Sequence, residues 1–258
     1  MSLKLQEEYG DDLQVLFVES QGTKQSAMAS FALGKKWLGG NAMWTTESPF
    51  RLSTQGLPKF ALLSAEGEIV LEGYTTMRKS DIDDTVEELV KARRKGPRDL
   101  PRNLAKALSE ANQGNYAKAL EIAGEAVADA TDDDHELAQA KEVQAEIERR
   151  VKAELERAGW LLDNGYPLEG KELIESLRKG LKGLADYESQ AEDLARKLET
   201  PEMKLELEAG KQLARIEKKL YSQGPDAKYV KSLRKLVERY PETKIALRAS
   251  ELAKIAAI

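Results

Sequence analysis

Apolar residues follow two different periods along this chain, and the change comes at Gly96-Pro97-Arg98-Asp99-Leu100-Pro101. Before it, short apolar runs alternate with helical patterns. Leu13-Gln14-Val15-Leu16-Phe17-Val18-Glu19 is a run of the kind a buried strand shows. Ser20-Gln21-Gly22-Thr23 reads as a turn, and residues 25–37 as a helix. Ala42-Met43-Trp44-Thr45-Thr46 reads as a second strand. Phe60-Ala61-Leu62-Leu63 and Glu68-Ile69-Val70-Leu71-Glu72 flank Ala65-Glu66-Gly67, which predicts a β-hairpin with a glycine turn. Ser80 with Asp83 three residues on predicts a capped helix start, and Ile82, Val86, Leu89 and Val90 follow at helical spacing.

After the change nearly everything has helical periodicity, in about eight stretches. Leu104 and Leu108 precede a break at Gln113-Gly114-Asn115, after which Tyr116, Ala119, Leu120, Ala123 and Val127 continue. A long helix carries Leu137, Ala140, Val143, Ile147, Val151, Leu155, Ala158 and Leu162. Further helices hold Leu173 to Leu181, then Ala191, Leu194 and Leu198. Thr200-Pro201 supplies a cap and first-turn proline, and Gln223-Gly224-Pro225-Asp226 and Tyr240-Pro241 break the remainder. A glycine–proline cluster between two periodicities is a domain boundary, so the chain divides into 1–96 and 97–258.

Composition narrows the function classes. The formal net charge of −5, with Lys and Arg interspersed among Glu and Asp, argues against a nucleic-acid partner. No apolar run reaches the ~20 residues of a membrane span. The opening ten residues are charged and do not resemble a signal peptide. The compartment stays open: periplasmic if a signal peptide was removed, otherwise cytoplasmic. No cysteine is present, so this chain cannot carry out thiol–disulfide exchange, which needs a thiolate.

The order β-α-β, hairpin, α resembles a thioredoxin-like domain of the bacterial TlpA type. The resemblance rests on the first strand leading through a turn into a helix, on Leu57-Pro58 just before the hairpin, and on the run from Pro58 to Gly73-Tyr74. It implies a cis Leu57–Pro58 bond. It also places Thr23 and Ser26 in the two slots of the redox Cys-x-x-Cys, and Phe17 where many thioredoxins keep a buried acid. Thr23, Ser26 and Pro58 are then vestigial redox-site positions, because a hydroxyl cannot form a disulfide. Gly114-Asn115-Tyr116-Ala117-Lys118-Ala119-Leu120, with Ala126, is similar to the tetratricopeptide-repeat turn and second helix. The fold class expected is therefore an α/β thioredoxin-like domain plus an all-α, degenerate tetratricopeptide-repeat-like domain.

Two function classes follow. The favoured one is a non-catalytic protein- or peptide-binding or scaffold protein, with the helical region as the contact surface. The other is a relative of the thiol–disulfide oxidoreductases acting in redox homeostasis, whose cysteine was lost natively or by replacement at Ser26. No catalytic residue, cofactor or metal site is assigned, and the oligomeric state is left open. The turn at Thr23-Lys24-Gln25-Ser26 offers free N–H groups that would suit an anion, or simply a polar helix cap. The sole histidine, His135, follows Asp132-Asp133-Asp134, better read as a helix start than as a cation site. Trp160, Tyr166, Tyr187, Tyr221, Tyr229 and Tyr240 lie near helix ends, where they serve packing or line a groove. The missing thiols predict no reductase activity: insulin reduction with the purified protein should not exceed that of a boiled control.

Overall fold

The computed structural model describes residues 2–35, 37, 43–45, 47, 50–53, 56–65, 67–95, 100–130 and 134–257. Two compact units emerge. One covers Met1–Arg93 with Tyr221–Pro225, the other Arg94–Leu220 with Asp226–Ala257. Residues 96–99, at the boundary expected from composition, lie outside the described residues.

The first unit opens with α1 (Ser2–Tyr9) and a 3-10 turn at Gly10–Asp12. Strand β1 (Leu16–Val18), helix α2 (Gln25–Gly34) and strand β2 (Met43–Thr45) follow. Then come β3 (Lys59–Leu63), β4 (Ile69–Tyr74) and α3 (Lys79–Lys95). Strands β1 and β2 pair in parallel, with Phe17 opposite Trp44. Strands β3 and β4 pair antiparallel through a turn where Gly67 takes φ +86°. The core lies where Ile82, Val86 and Val90, one stripe of α3, meet Phe60, Leu62 and Leu71 of the hairpin and Leu5, Tyr9 and Leu13.

This architecture corrects the expected fold class. The described structure is 72% helical, and its strands form two separate two-stranded ladders, so the chain is mostly all-α rather than a thioredoxin-like α/β domain followed by a helical one. The physical reason lies in the apolar run before Glu19. Only Leu16–Val18 is strand, and Leu16 and Val18 are 43% and 41% exposed, so β1 is not the doubly buried strand its composition suggested. The preceding backbone is satisfied by a side chain instead of a sheet neighbour. Buried Gln6 donates through Nε2 to the Gly10 carbonyl at 3.0 Å and to the Leu13 carbonyl, and its Oε1 accepts the Val15 N–H at 2.5 Å. The expected helix start also moves: α3 begins at Lys79, and the Ser80 hydroxyl donates to Asp84 at 3.3 Å instead of capping.

The second unit holds eight helices among the described residues: α4 (Arg102–Asn112), α5 (Tyr116–Asp129), α6 (Asp134–Asp163), α7 (Pro167–Gly180), α8 (Ala185–Leu198), α9 (Pro201–Gln223), α10 (Ala227–Arg239) and α11 (Lys244–Ala256). Their ends follow local chemistry. Thr200 Oγ1 accepts the Met203 N–H at 3.2 Å, Asp226 Oδ1 accepts that of Lys228 at 2.8 Å, and Thr243 Oγ1 accepts that of Ala246 at 3.1 Å. Leu104, Ala107, Leu108 and Ala111 of α4 pack with Ala119, Ile122, Ala123 and Ala126 of α5 against the first half of α6. The second half of α6 packs with Ile174 and Leu177 of α7 and Ala191 and Leu198 of α8. Helix α6, 30 residues long, is thus shared by two helix pairs. Consecutive helices pack on one another from α4 to α8, and α6 also meets α4 and α8.

Two glycines set the closest approach. A Cβ built on Gly180, at the end of α7, would lie 1.9 Å from the carbonyl oxygen of Gly114, which turns the chain between α4 and α5 with φ +79°. Gly124 inside α5 has nothing within 4 Å of its virtual Cβ. The same substitution should therefore have opposite signs. Gly180→Ala should cost about 1–3 kcal/mol by forcing backbone apart. Gly124→Ala should add about 0.5–1 kcal/mol through helix propensity. Urea unfolding monitored by circular dichroism reads both.

Candidate functional site

The turn after β1 closes around its own carboxylate. Glu19 is only 7% exposed. Its N–H donates to the Thr45 carbonyl at 2.8 Å, extending the β1–β2 ladder. Its Oε1 accepts the Gln21 N–H at 2.7 Å and its Oε2 the Thr23 N–H at 3.0 Å. Burial pushes this carboxyl up. The N–H groups of Gln21, Thr23 and Gly22 and the Thr23 hydroxyl outweigh burial and hold it below its ordinary value. Gly22, at φ +73°, lets the chain curl so that these donors point inward. Of the N–H groups expected to suit an external anion at Thr23–Ser26, that of Thr23 is bonded to Glu19.

Thr23 and Ser26 are exposed in this turn and the first turn of α2. Pro58 is exposed just before β3, and the Leu57–Pro58 bond is cis, as the resemblance implied. No ladder among the described residues joins β1 to β3, and no recorded hydrogen bond links Thr23 to Ser26. Phe17 stacks on Trp37 with centroids 5.6 Å apart and planes at 12°, and Phe31 meets Trp37 edge-on. An aromatic cluster thus occupies the place of the acid that the resemblance would put at Phe17. His135 is exposed in the first turn of α6, and Asp132 and Asp133 lie outside the described residues. No group of acidic and histidine side chains that could hold a metal occurs among the described residues. No helix among them is long and apolar enough to cross a membrane.

A different set of residues is built with more care. Helix α6 ends at Asp163, and Gly165 takes φ +78° to reverse the chain into α7. Three carbonyls at this reversal find side-chain donors. Asn164 Nδ2 donates to the Trp160 carbonyl at 2.8 Å, Lys244 Nζ to that of Asp163 at 2.5 Å, and Arg248 Nη1 to that of Gly165 at 2.6 Å. The two cations belong to α11, whose own first N–H groups are held by α9. Glu206 Oε1 accepts from Lys244 N at 2.6 Å and Oε2 from Ile245 N at 3.2 Å. Three helix ends therefore brace one another.

On this junction sits an aromatic ladder. Trp160 stacks on Tyr166 with centroids 5.7 Å apart and planes at 19°. The Arg248 guanidinium lies 4.2 Å over the same tyrosine ring and pairs with Glu217 at 3.2 Å. Trp160 is nonetheless 56% exposed. The other aromatics serve packing. Tyr229 and Tyr240 are buried, and Tyr187 is half-buried against the α6–α8 core. The Tyr240 hydroxyl donates to Glu208 at 2.6 Å and accepts from Gln212 at 2.6 Å. Its bond to Glu208 and then its burial push its ionisation up.

The sequence carried one unused signal for this site. Gly114-Asn115-Tyr116 and Gly165-Tyr166 each place a left-handed glycine at the helix reversal and a tyrosine at the start of the next helix. Comparison with family models, curated proteins and solved structures finds no match for this chain. For Glu19, the lowered value fixes the sign of the pH dependence. The stability it adds is present above the ordinary glutamate value of 4.5 and is lost as pH falls through 4.5 toward the lowered value. Glu19→Gln should lower the urea midpoint at neutral pH and flatten the loss of stability as pH falls below 4.5. Parallel acid profiles for the two proteins would refute the role of this carboxylate.

Proposed function

We propose that this chain is a non-catalytic binding protein whose partner, a protein or peptide, docks on the helical unit around Trp160. The observation that carries this reading is the exposed Trp160 ring, stacked on Tyr166 and braced through Arg248 and Glu217. Tryptophan, tyrosine and arginine dominate the energetics of protein interfaces, because each combines large contact area with a polar handle. A side chain already held in place loses little entropy when a partner covers it. The alternative, redox-linked reading has no thiol to work with in this chain. At the Thr23–Ser26 turn, the Thr23 N–H is engaged by Glu19, which takes it from any anionic ligand.

The test compares three full-length proteins as affinity baits, with any captured partner then titrated by calorimetry. Trp160→Ala should weaken the partner by about 2 kcal/mol or more, roughly 30-fold, as loss of an interface anchor does. Thr23→Ala/Ser26→Ala should bind as the parent does. Loss of the partner in the double variant, with binding kept in Trp160→Ala, would place the contact at the turn before α2 and overturn the proposal.

A further inference from the structure

The last two helices carry a second surface of different chemistry. Helices α10 and α11 pack against each other, and a groove of about 520 Å³ runs between their outer faces. Arg234, Val237 and Glu238 line it from α10, and Ser250, Ala253 and Lys254 from α11. Both sets fall at i, i+3 and i+4, so the groove is walled by two helical ridges. That is the shape into which a third helix lays its side chains. Val237 and Ala257 give the walls apolar surface, and the small Ser250 and Ala253 add no bulk.

Charge selects the occupant. The whole chain has a net charge of −5, yet α10 has five cations, Lys228, Lys231, Arg234, Lys235 and Arg239, against one acid, Glu238. Two of the five are engaged: Lys228 with Asp226 at 3.1 Å, and Arg239 with Glu208 at 3.5 Å. No ion pair is recorded for Lys231, Arg234 or Lys235 among the described residues. Arg234 stands on the α10 wall, and Lys254, which also meets Glu251 at 2.6 Å, stands on the α11 wall. We infer that this groove docks an acidic amphipathic helix of a partner protein. Its apolar stripe lies against Val237 and Ala257, and its carboxylates meet Arg234 and Lys254 on the walls and Lys231 and Lys235 beside them on α10.

The same residues argue against the other polyanions. A basic amphipathic helix binds a membrane by inserting its apolar face. In α10 that face is Tyr229, Val230, Leu233 and Leu236, all buried inside the protein. A nucleic acid would be tracked by a cationic groove with aromatic platforms for its bases. This groove has aliphatic walls and a carboxylate, Glu238, among its lining residues.

The experiment uses the full chain and a fluorescein-labelled peptide of about 14 residues, with Leu at helical spacing and Glu between, read by fluorescence anisotropy. Saturable binding that weakens as salt rises is expected. Lys231→Glu/Arg234→Glu should weaken it by about tenfold or more. Ser250→Trp, which fills the groove without changing charge, should weaken it too, with circular dichroism showing helix content retained in both variants. Trp160→Ala should leave it unchanged, which separates this site from the surface around Trp160. No binding at low salt, or equal binding by the parent and both groove variants, would overturn the inference. So would tighter binding of phosphatidylserine vesicles or a single-stranded oligonucleotide through the same lysines. Groove-dependent pairing of two copies of this chain by sedimentation, without peptide binding, would overturn it as well.

Discussion

The apolar stripe of α6 is what the helical unit depends on. Ala140, Val143, Ile147, Val151, Leu155, Ala158 and Leu162 recur every three or four residues, and all are buried. The first three sit in the core with α4 and α5, and the last four in the core with α7 and α8. A single helix thus orders two pairs that have few apolar residues of their own to spare. Tyr116 lies against both cores, and Arg150 crosses to Asn112 at 2.8 Å. Alanines at the α4–α5 contact and glycines at the Gly114–Gly180 approach bring the backbones close enough for the stripe to serve both sides.

That dependence has a consequence at the end of α6. A helix that carries two cores must terminate where the second core closes, and its last carbonyls then need partners. They are supplied by Lys244 and Arg248 from a helix far along the chain, and the same Arg248 lies over Tyr166. The cap and the aromatic ladder are therefore one arrangement. Trp160 is exposed because it lies two residues from both Ala158 and Leu162, which turns it away from the buried stripe, and there it stacks on Tyr166. Helix termination and presentation of a contact residue are met by the same side chains.

Local chemistry was legible in the sequence and long-range pairing was not. Thr200-Pro201 marked a helix start, Gly67 a hairpin, and the helical periodicity located all eight helices of the second unit. Each depends on neighbours within a few residues. The run at Leu13 to Val18 misled because a short apolar stretch has the same composition whether buried on both faces or held by a glutamine side chain. The thioredoxin-like domain expected from the order of elements failed for a related reason. Order does not specify which strands pair, and β1 and β3 do not. Nothing local to Tyr166 announces Arg248, so the aromatic ladder stayed hidden while its turn, glycine and tyrosine, was in plain view.

Glu19 shows how a turn ahead of a helix can use its N–H groups inside the protein. Inward N–H groups after a strand are an anion site only while nothing in the protein answers them. Here the last residue of the apolar run is a glutamate, and Gly22 curls the backbone so that the donors meet its carboxylate at 2.7 and 3.0 Å. Gln6 does the same for the backbone before β1. In both places a buried polar side chain satisfies main-chain groups that a sheet would otherwise have satisfied. A unit with only two short ladders must meet its backbone requirement this way, and the donors it uses are withdrawn from chemistry. The surfaces proposed to recognise a partner, the Trp160 ladder and the α10–α11 groove, are instead made of outward side chains.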